Sequence, residues 1–169
     1  DAIKHPKWKM GKKISVDSAT LMNKVLEITE ALRLFPFSLK QYEIIIHPDS
    51  LIHAIVKLKN GTSLFLYHTP DMKIPIGNAL LKDFNYKNFS KKINTDNKIK
   101  NLNFCSVDKK KFPATNLISV MNSRKSSPII INAANEIFVD QFLKNNISFN
   151  DIVGYLKLVL KNKSYIKTS

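Results

Sequence analysis

Residues 5–27 read HPKWKMGKKISVDSATLMNKVLE, and this stretch divides into a loop and a helix. The loop half, His5 to Lys13, mixes an imidazole, an indole, a thioether, one glycine and four lysines. No strand or amphipathic helix has that pattern, so a mobile flap over 5–13 is the natural reading. Asp17 and Ser18 follow, residue types whose side-chain oxygens satisfy the free N–H groups of a first helical turn. A helix opening there runs without Gly or Pro to Phe35. Within it, Leu21, Met22, Val25, Leu26, Ala31 and Leu32 recur as a buried stripe, while Asn23, Glu27 and Glu30 form a polar row with Lys24 beside it.

That polar row suggests chemistry. A helix N-terminus offers unpaired N–H groups and the positive end of the macrodipole to an anion, here assisted by the Ser18 hydroxyl and the Lys24 ammonium. Glu27, about one turn deeper, would place a carboxylate where a divalent cation could bridge to the far end of a small phosphorylated substrate. The same residues are also ordinary i, i+3 and i, i+4 neighbours on a solvated face, and spacing alone does not separate the two readings.

Three further motifs bear on the choice. They are Ile46-His-Pro-Asp-Ser-Leu-Ile-His53, Pro70-Asp-Met-Lys-Ile-Pro-Ile76 and Asn132-Ala-Ala-Asn-Glu136. Together with His5-Pro-x-Trp-x-Met-Gly-x-Lys13, Ile14-Ser-Val-Asp-Ser-Ala-Thr20 and Met22-Asn-Lys24 with Glu27, they resemble the 1-deoxy-D-xylulose 5-phosphate reductoisomerase family.

The resemblance implies a homodimeric, NADPH-dependent oxidoreductase and isomerase of isoprenoid precursor biosynthesis. Such enzymes use Mg or Mn to convert 1-deoxy-D-xylulose 5-phosphate to 2-C-methyl-D-erythritol 4-phosphate on the methylerythritol phosphate pathway. It implies that Ser18, Asn23 and Lys24 bind substrate, that Glu27 is a metal ligand and substrate contact, and that His5 reaches the substrate, His5 and Glu27 serving catalysis. Pro6, Trp8 and Met10 would form the flap cover, and Gly11 would approach the cofactor. His53 and Met72 would line the pocket wall or simply pack, and Asn132–Glu136 would be structural. Two further acidic ligands belong to an upstream Asp-Ser-Glu segment in that family, and none stands before His5. Gly11, Gly61, Gly77 and Gly154 never approach G-x-G-x-x-G spacing. The chain is therefore expected to be a fragment or processed product, and catalytically silent by itself. A bacterial cytoplasm is the expected location, with a plastid as the alternative.

A net charge of +14 would ordinarily raise a nucleic-acid partner. Here the lysines are spread through loops and outer faces beside abundant Asn and Ile, so a basic binding module is the alternative rather than the main reading, as is a non-catalytic dimerisation remnant. One cysteine, Cys105, permits no intrachain disulfide and is read as a small buried hydrophobe. No apolar run reaches the length of a membrane span, so a soluble protein without a membrane partner is expected. The four histidines lack familiar zinc-ligand spacing.

The remaining pattern predicts an α+β fold. Strands are expected over 41–47, 50–59 and 63–68, the last two joined at Asn60-Gly61, the strongest hairpin signal present. A short helix over 74–81 and a Lys- and Asn-rich linker follow. Helices are then expected from Phe112 to Asn122, from Ser126 to about Asn145 and from Asn150 or Asp151 to Lys161, forming a small bundle. The implied organisation is a partial catalytic domain over 1–83, a linker over 84–108 and a partial C-terminal helical domain over 109–169.

Overall fold

The computed structural model describes residues 11–83, 85, 102–122 and 126–162. The helices are α1 (Lys12–Thr20), α2 (Met22–Leu34), α3 (Lys73–Leu80), α4 (Leu117–Asn122), α5 (Ser127–Leu143) and α6 (Phe149–Lys161). The strands are β1 (Ile45–Ile46), β2 (Ile52–Lys57), β3 (Ser63–Tyr67) and β4 (Cys105–Ser106). The α+β expectation holds.

Two compact units emerge, and they cut across the expected division at residue 83. One comprises residues 1–44 together with 107–169, and the other residues 45–106. The physical reason is the stripe of α1 and α2. Val16, Met22 and Val25 are fully buried in the same cluster as Ala114, Leu117, Met121, Ile131, Val139, Ile152 and Leu156. The first helices thus share their core with the C-terminal ones, burial that stabilises by roughly 1.5–3 kcal/mol per large aliphatic side chain.

Helix ends in this unit are set by local chemistry. Pro128 stands in the first turn of α5, where its missing N–H costs nothing. Asn145 ends the helix in the left-handed region at φ 61°, with its N–H on the Phe142 carbonyl and that of Asn146 on the Gln141 carbonyl. Ser148 and Asp151 form a capping box at the start of α6. The Ser148 N–H donates to the Asp151 carboxylate at 2.9 Å. Hydrogen bonds from the Ser148 side chain and backbone hold the Asp151 carboxyl below its usual pKa. A depressed folded-state pKa contributes stability above the unfolded-state value and loses it as pH falls through the folded one. Asp151→Asn should therefore flatten the acid limb of the stability curve, leaving little difference from wild type at the lowest pH; melting curves from neutral pH into the acid range check this.

The second unit is built on the expected hairpin. β2 and β3 pair antiparallel, with Val56 opposite Leu64 and Ala54 opposite Leu66. Gly61 takes φ 88°, and the Asn60 side chain accepts from both the N–H and hydroxyl of Thr62. The alternation expected along 52–58 is interrupted, because the register shifts between Ile52 and Ala54 and leaves His53 as an extra residue. The strand expected over 41–47 shrinks to β1, since Leu39–Gln41 forms a 3-10 turn whose start is capped by Gln41 accepting from the Ser38 N–H. β1 pairs with β4, so residues 105–106, expected in the linker, form a strand. Cys105 is exposed there, contrary to the buried hydrophobe expected.

The His53 and His68 rings stack at 3.8 Å between centroids, and the ring of His47 lies 5.0 Å from that of Phe104. Met72 is exposed and precedes α3. Among the described residues, no helix is long and apolar enough to cross a membrane.

Candidate substrate and metal site

The single helix expected from Asp17 or Ser18 to Phe35 is two helices meeting at Leu21. Leu21 adopts φ 59°, ψ 18°, a left-handed conformation uncommon for a residue with a branched side chain. Thr20 explains how the break is held. Its hydroxyl donates to the carbonyls of Val16 and Asp17 and accepts the Met22 N–H at 3.3 Å. The Leu21 N–H bonds back to the Ser18 carbonyl at 3.1 Å. Sequence reasoning missed the break because neither Gly nor Pro marks it.

Asp17 and Ser18 consequently lie inside α1, which starts at Lys12 with Gly11 before it; Lys12 and Lys13 are helical rather than part of the flap. The helix N-terminus relevant to an anion is that of α2. Its N-cap residue Leu21 makes no side-chain hydrogen bond, the Thr20 hydroxyl takes the Met22 N–H, and the first turn holds Asn23 and Lys24 and no acidic residue. The positive end of the α2 dipole therefore lies at Asn23 and Lys24, and Ser18 stands in the last turn of α1.

Lys24 and Glu27 are brought together directly. The Lys24 Nζ lies 2.8 and 3.0 Å from the two Glu27 carboxylate oxygens. Both side chains are open to solvent, so the pair is a weak contributor to stability and easily exchanged for ligands. Asn23 is half-buried, and its Oδ1 is buried without a hydrogen-bond partner among the described residues. Ser18 is half-buried and Gly11 exposed. A Cβ at Gly11 would meet nothing within 4 Å, so its backbone is accessible to a close neighbour. His5, Pro6, Trp8 and Met10 lie outside the described residues.

The donor set fits one ligand of a hard cation. Glu27 supplies an accessible carboxylate, and no group of three or more His, Cys, Asp or Glu able to hold a metal occurs among the described residues. The described residues do not form a nucleotide-binding fingerprint. A groove of about 530 Å³ lies between α2 and α5, and none of Ser18, Asn23, Lys24 or Glu27 lines it. Its charged lining, Glu30, Arg33 and Glu136, is net negative and unsuited to a phosphate.

The sequence reads Asp17 as a helix cap and Asn135 as structural, and does not reveal the bond between them. The Asn135 Nδ2 donates to the Asp17 Oδ1 at 2.8 Å, and both residues are buried. The other carboxylate oxygen takes the Lys13 ammonium at 2.8 Å. An acid in the middle of a buried helix face was the available signal, but its partner is 118 positions away.

Comparison with known proteins decides the family. A profile described as "DXP reductoisomerase C-terminal domain" matches residues 68–169, more than half the chain. The chain belongs to the 1-deoxy-D-xylulose 5-phosphate reductoisomerase family. A second profile, "1-deoxy-D-xylulose 5-phosphate reductoisomerase C-terminal domain", matches residues 1–35 and so covers the α1–α2 junction.

The 1-deoxy-D-xylulose 5-phosphate reductoisomerase of Pelagibacter ubique is 43% identical over 99% of this chain and 43% of its own length. That of the Wolbachia of Brugia malayi is 46% identical over 95% of this chain and 41% of its own. A crystal structure of DOX-P reductoisomerase in complex with NADPH, fosmidomycin and magnesium superposes with TM-score 0.89 at 38% identity, over 97% of this chain and 40% of that one. The Zymomonas mobilis reductoisomerase in complex with NADPH gives TM-score 0.79 at 38% identity, over 88% of this chain and 39% of that one. The chain thus spans about two-fifths of the length of the curated relatives it matches.

Proposed function

We propose that this chain is the substrate- and metal-binding part of an enzyme that converts 1-deoxy-D-xylulose 5-phosphate to 2-C-methyl-D-erythritol 4-phosphate in isoprenoid precursor biosynthesis. The observation that carries the reading is the α1–α2 junction, where a helix start whose N-cap residue Leu21 offers no side-chain bond is followed within two turns by an ammonium and a carboxylate. Lys24, Asn23 and Ser18 bind the phosphate end of the substrate, using charge, amide and hydroxyl donors with the α2 dipole. Glu27 exchanges its contact with Lys24 for a divalent cation, Mg or Mn, and orients the substrate beside it. When bound, the cation polarises the substrate's oxygens and NADPH supplies the hydride.

His5 reaches the substrate from the preceding segment, and Pro6, Trp8 and Met10 close over it and keep water from a reactive intermediate. Gly11 offers backbone to the cofactor. Support for a homodimer comes from the hairpin, which exposes Val56, Leu64 and Leu66 at 52%, 58% and 58%. Cross-strand pairing puts these three on one face, and an isolated two-stranded ribbon with such a face gains by covering it. A bacterial cytoplasm suits a sugar phosphate substrate and a reduced nicotinamide donor.

The test is a turnover assay with substrate, NADPH and Mg. The full-length enzyme carrying this chain should oxidise NADPH, lose activity to a chelator and regain it with Mg or Mn. The 169-residue chain alone should show none, because Glu27 supplies a single carboxylate and no cluster of three possible metal ligands occurs among the described residues. Absence of turnover by the full-length enzyme would overturn the function. Activity of the isolated chain comparable to it would overturn the silence.

A further inference from the structure

We infer that Asn135, on α5, is a positioning residue for the substrate site, acting through Asp17 on the α1–α2 junction. The inference rests on the proposed function and names a residue that no contact with substrate requires. Asn135 is fully buried, and its Nδ2 donates at 2.8 Å to the Oδ1 of Asp17, itself 4% exposed. Lys13 takes the second oxygen at 2.8 Å, so both carboxylate oxygens are engaged.

The position of Asp17 makes that bond matter. It directly precedes Ser18, and its carbonyl accepts from the Thr20 hydroxyl, which in turn receives the Met22 N–H that opens α2. A continuous set of hydrogen bonds therefore runs from α5 through Asp17 and Thr20 to the turn bearing Asn23 and Lys24. The junction it holds includes Leu21 at φ 59°, a conformation that relaxes unless its surroundings fix it. Asn135 costs something to keep, since its Oδ1 is buried without a partner among the described residues. A residue serving packing alone would be apolar at this position, as Ile131 and Val139 are on the same buried face.

The experiment compares full-length Asn135→Ala with Ile131→Val, which trims the same face of α5 and keeps the Asn135–Asp17 bond. Asn135→Ser replaces Asn135→Ala if the latter does not fold. Loss of the bond should raise KM for the sugar phosphate by about tenfold with kcat changed less than about threefold, because binding geometry is lost before chemistry. Ile131→Val should leave KM unchanged at a comparable fall in melting temperature. An unchanged KM in Asn135→Ala, or equal rises in both variants, would overturn the inference. Asp17→Asn keeps an acceptor for Asn135 and removes only the charge facing Lys13; a tenfold KM rise there would assign the effect to Lys13 instead. If the wild-type enzyme shows no turnover, the proposed function fails and amide exchange over residues 18–24 judges the positioning. Faster exchange in Asn135→Ala than in Ile131→Val supports it, and equal exchange overturns it.

Discussion

Glu27→Gln should lower turnover of the full-length enzyme by roughly 1,000-fold while leaving its melting temperature unchanged, because a cation ligand is worth several kcal/mol to the transition state. The amide has nearly the same shape and still reaches Lys24, but it cannot supply a full negative charge to a hard cation. Stability should not follow activity downward. The Lys24–Glu27 contact is i, i+3 and solvent-exposed on both sides, at 42% and 54%, where an ion pair contributes at most a few tenths of a kcal/mol. The variant should also need a higher Mg concentration for half-maximal rate. Steady-state kinetics across a Mg titration, beside a thermal melt, checks all three statements. Turnover within tenfold of wild type would remove Glu27 from the metal site.

The largest stability effect should come from Leu156→Ala, at about 3–4 kcal/mol. Leu156 is fully buried where α6 meets the shared core of α1, α2, α4 and α5. Truncation removes the transfer free energy of the side chain and leaves a cavity that α5 and the rest of the buried cluster cannot fill by moving together. Leu158, two positions along the same helix, is 59% exposed, and Leu158→Ala should change stability by less than about 0.5 kcal/mol. The pair uses the same substitution in the same helix, so propensity cancels and burial alone remains. Melting temperatures of the two variants check it; similar shifts would mean that α6 does not pack as described.

The parts of the fold legible in the sequence are those specified locally. α5 and α6 follow from apolar spacing with a proline and a capping box at their starts, and the β2–β3 hairpin follows from Asn60-Gly61. Elements that depend on distant partners were misread. The bend at Leu21 is held by the Thr20 hydroxyl and by contacts to α5, and nothing in the residues from Ser18 to Lys24 announces a left-handed turn. β1 and β4 are two residues each and form only because they find each other across the intervening chain. The compact units follow the same rule: order along the chain groups α1 with the hairpin, whereas burial groups it with α5.

At the site, motif spacing placed Asn23, Lys24 and Glu27 on one turn, and the structure brings Lys24 and Glu27 into contact. The helix start was misplaced because Asp17 has the chemistry of a cap. Its carboxylate is spent instead on Lys13 and Asn135, a use that only the folded arrangement reveals.

The unit that holds α1 and α2 is discontinuous, its second half beginning at Val107. During synthesis the first two helices therefore leave the ribosome with their apolar stripe uncovered, and they must wait for α4, α5 and α6 before that surface finds its complement. A nonsense codon between the segments that encode α3 and α4 would then do more than shorten a tail: it would strand Val16, Met22 and Val25 in water and hand the nascent product to chaperones or proteases.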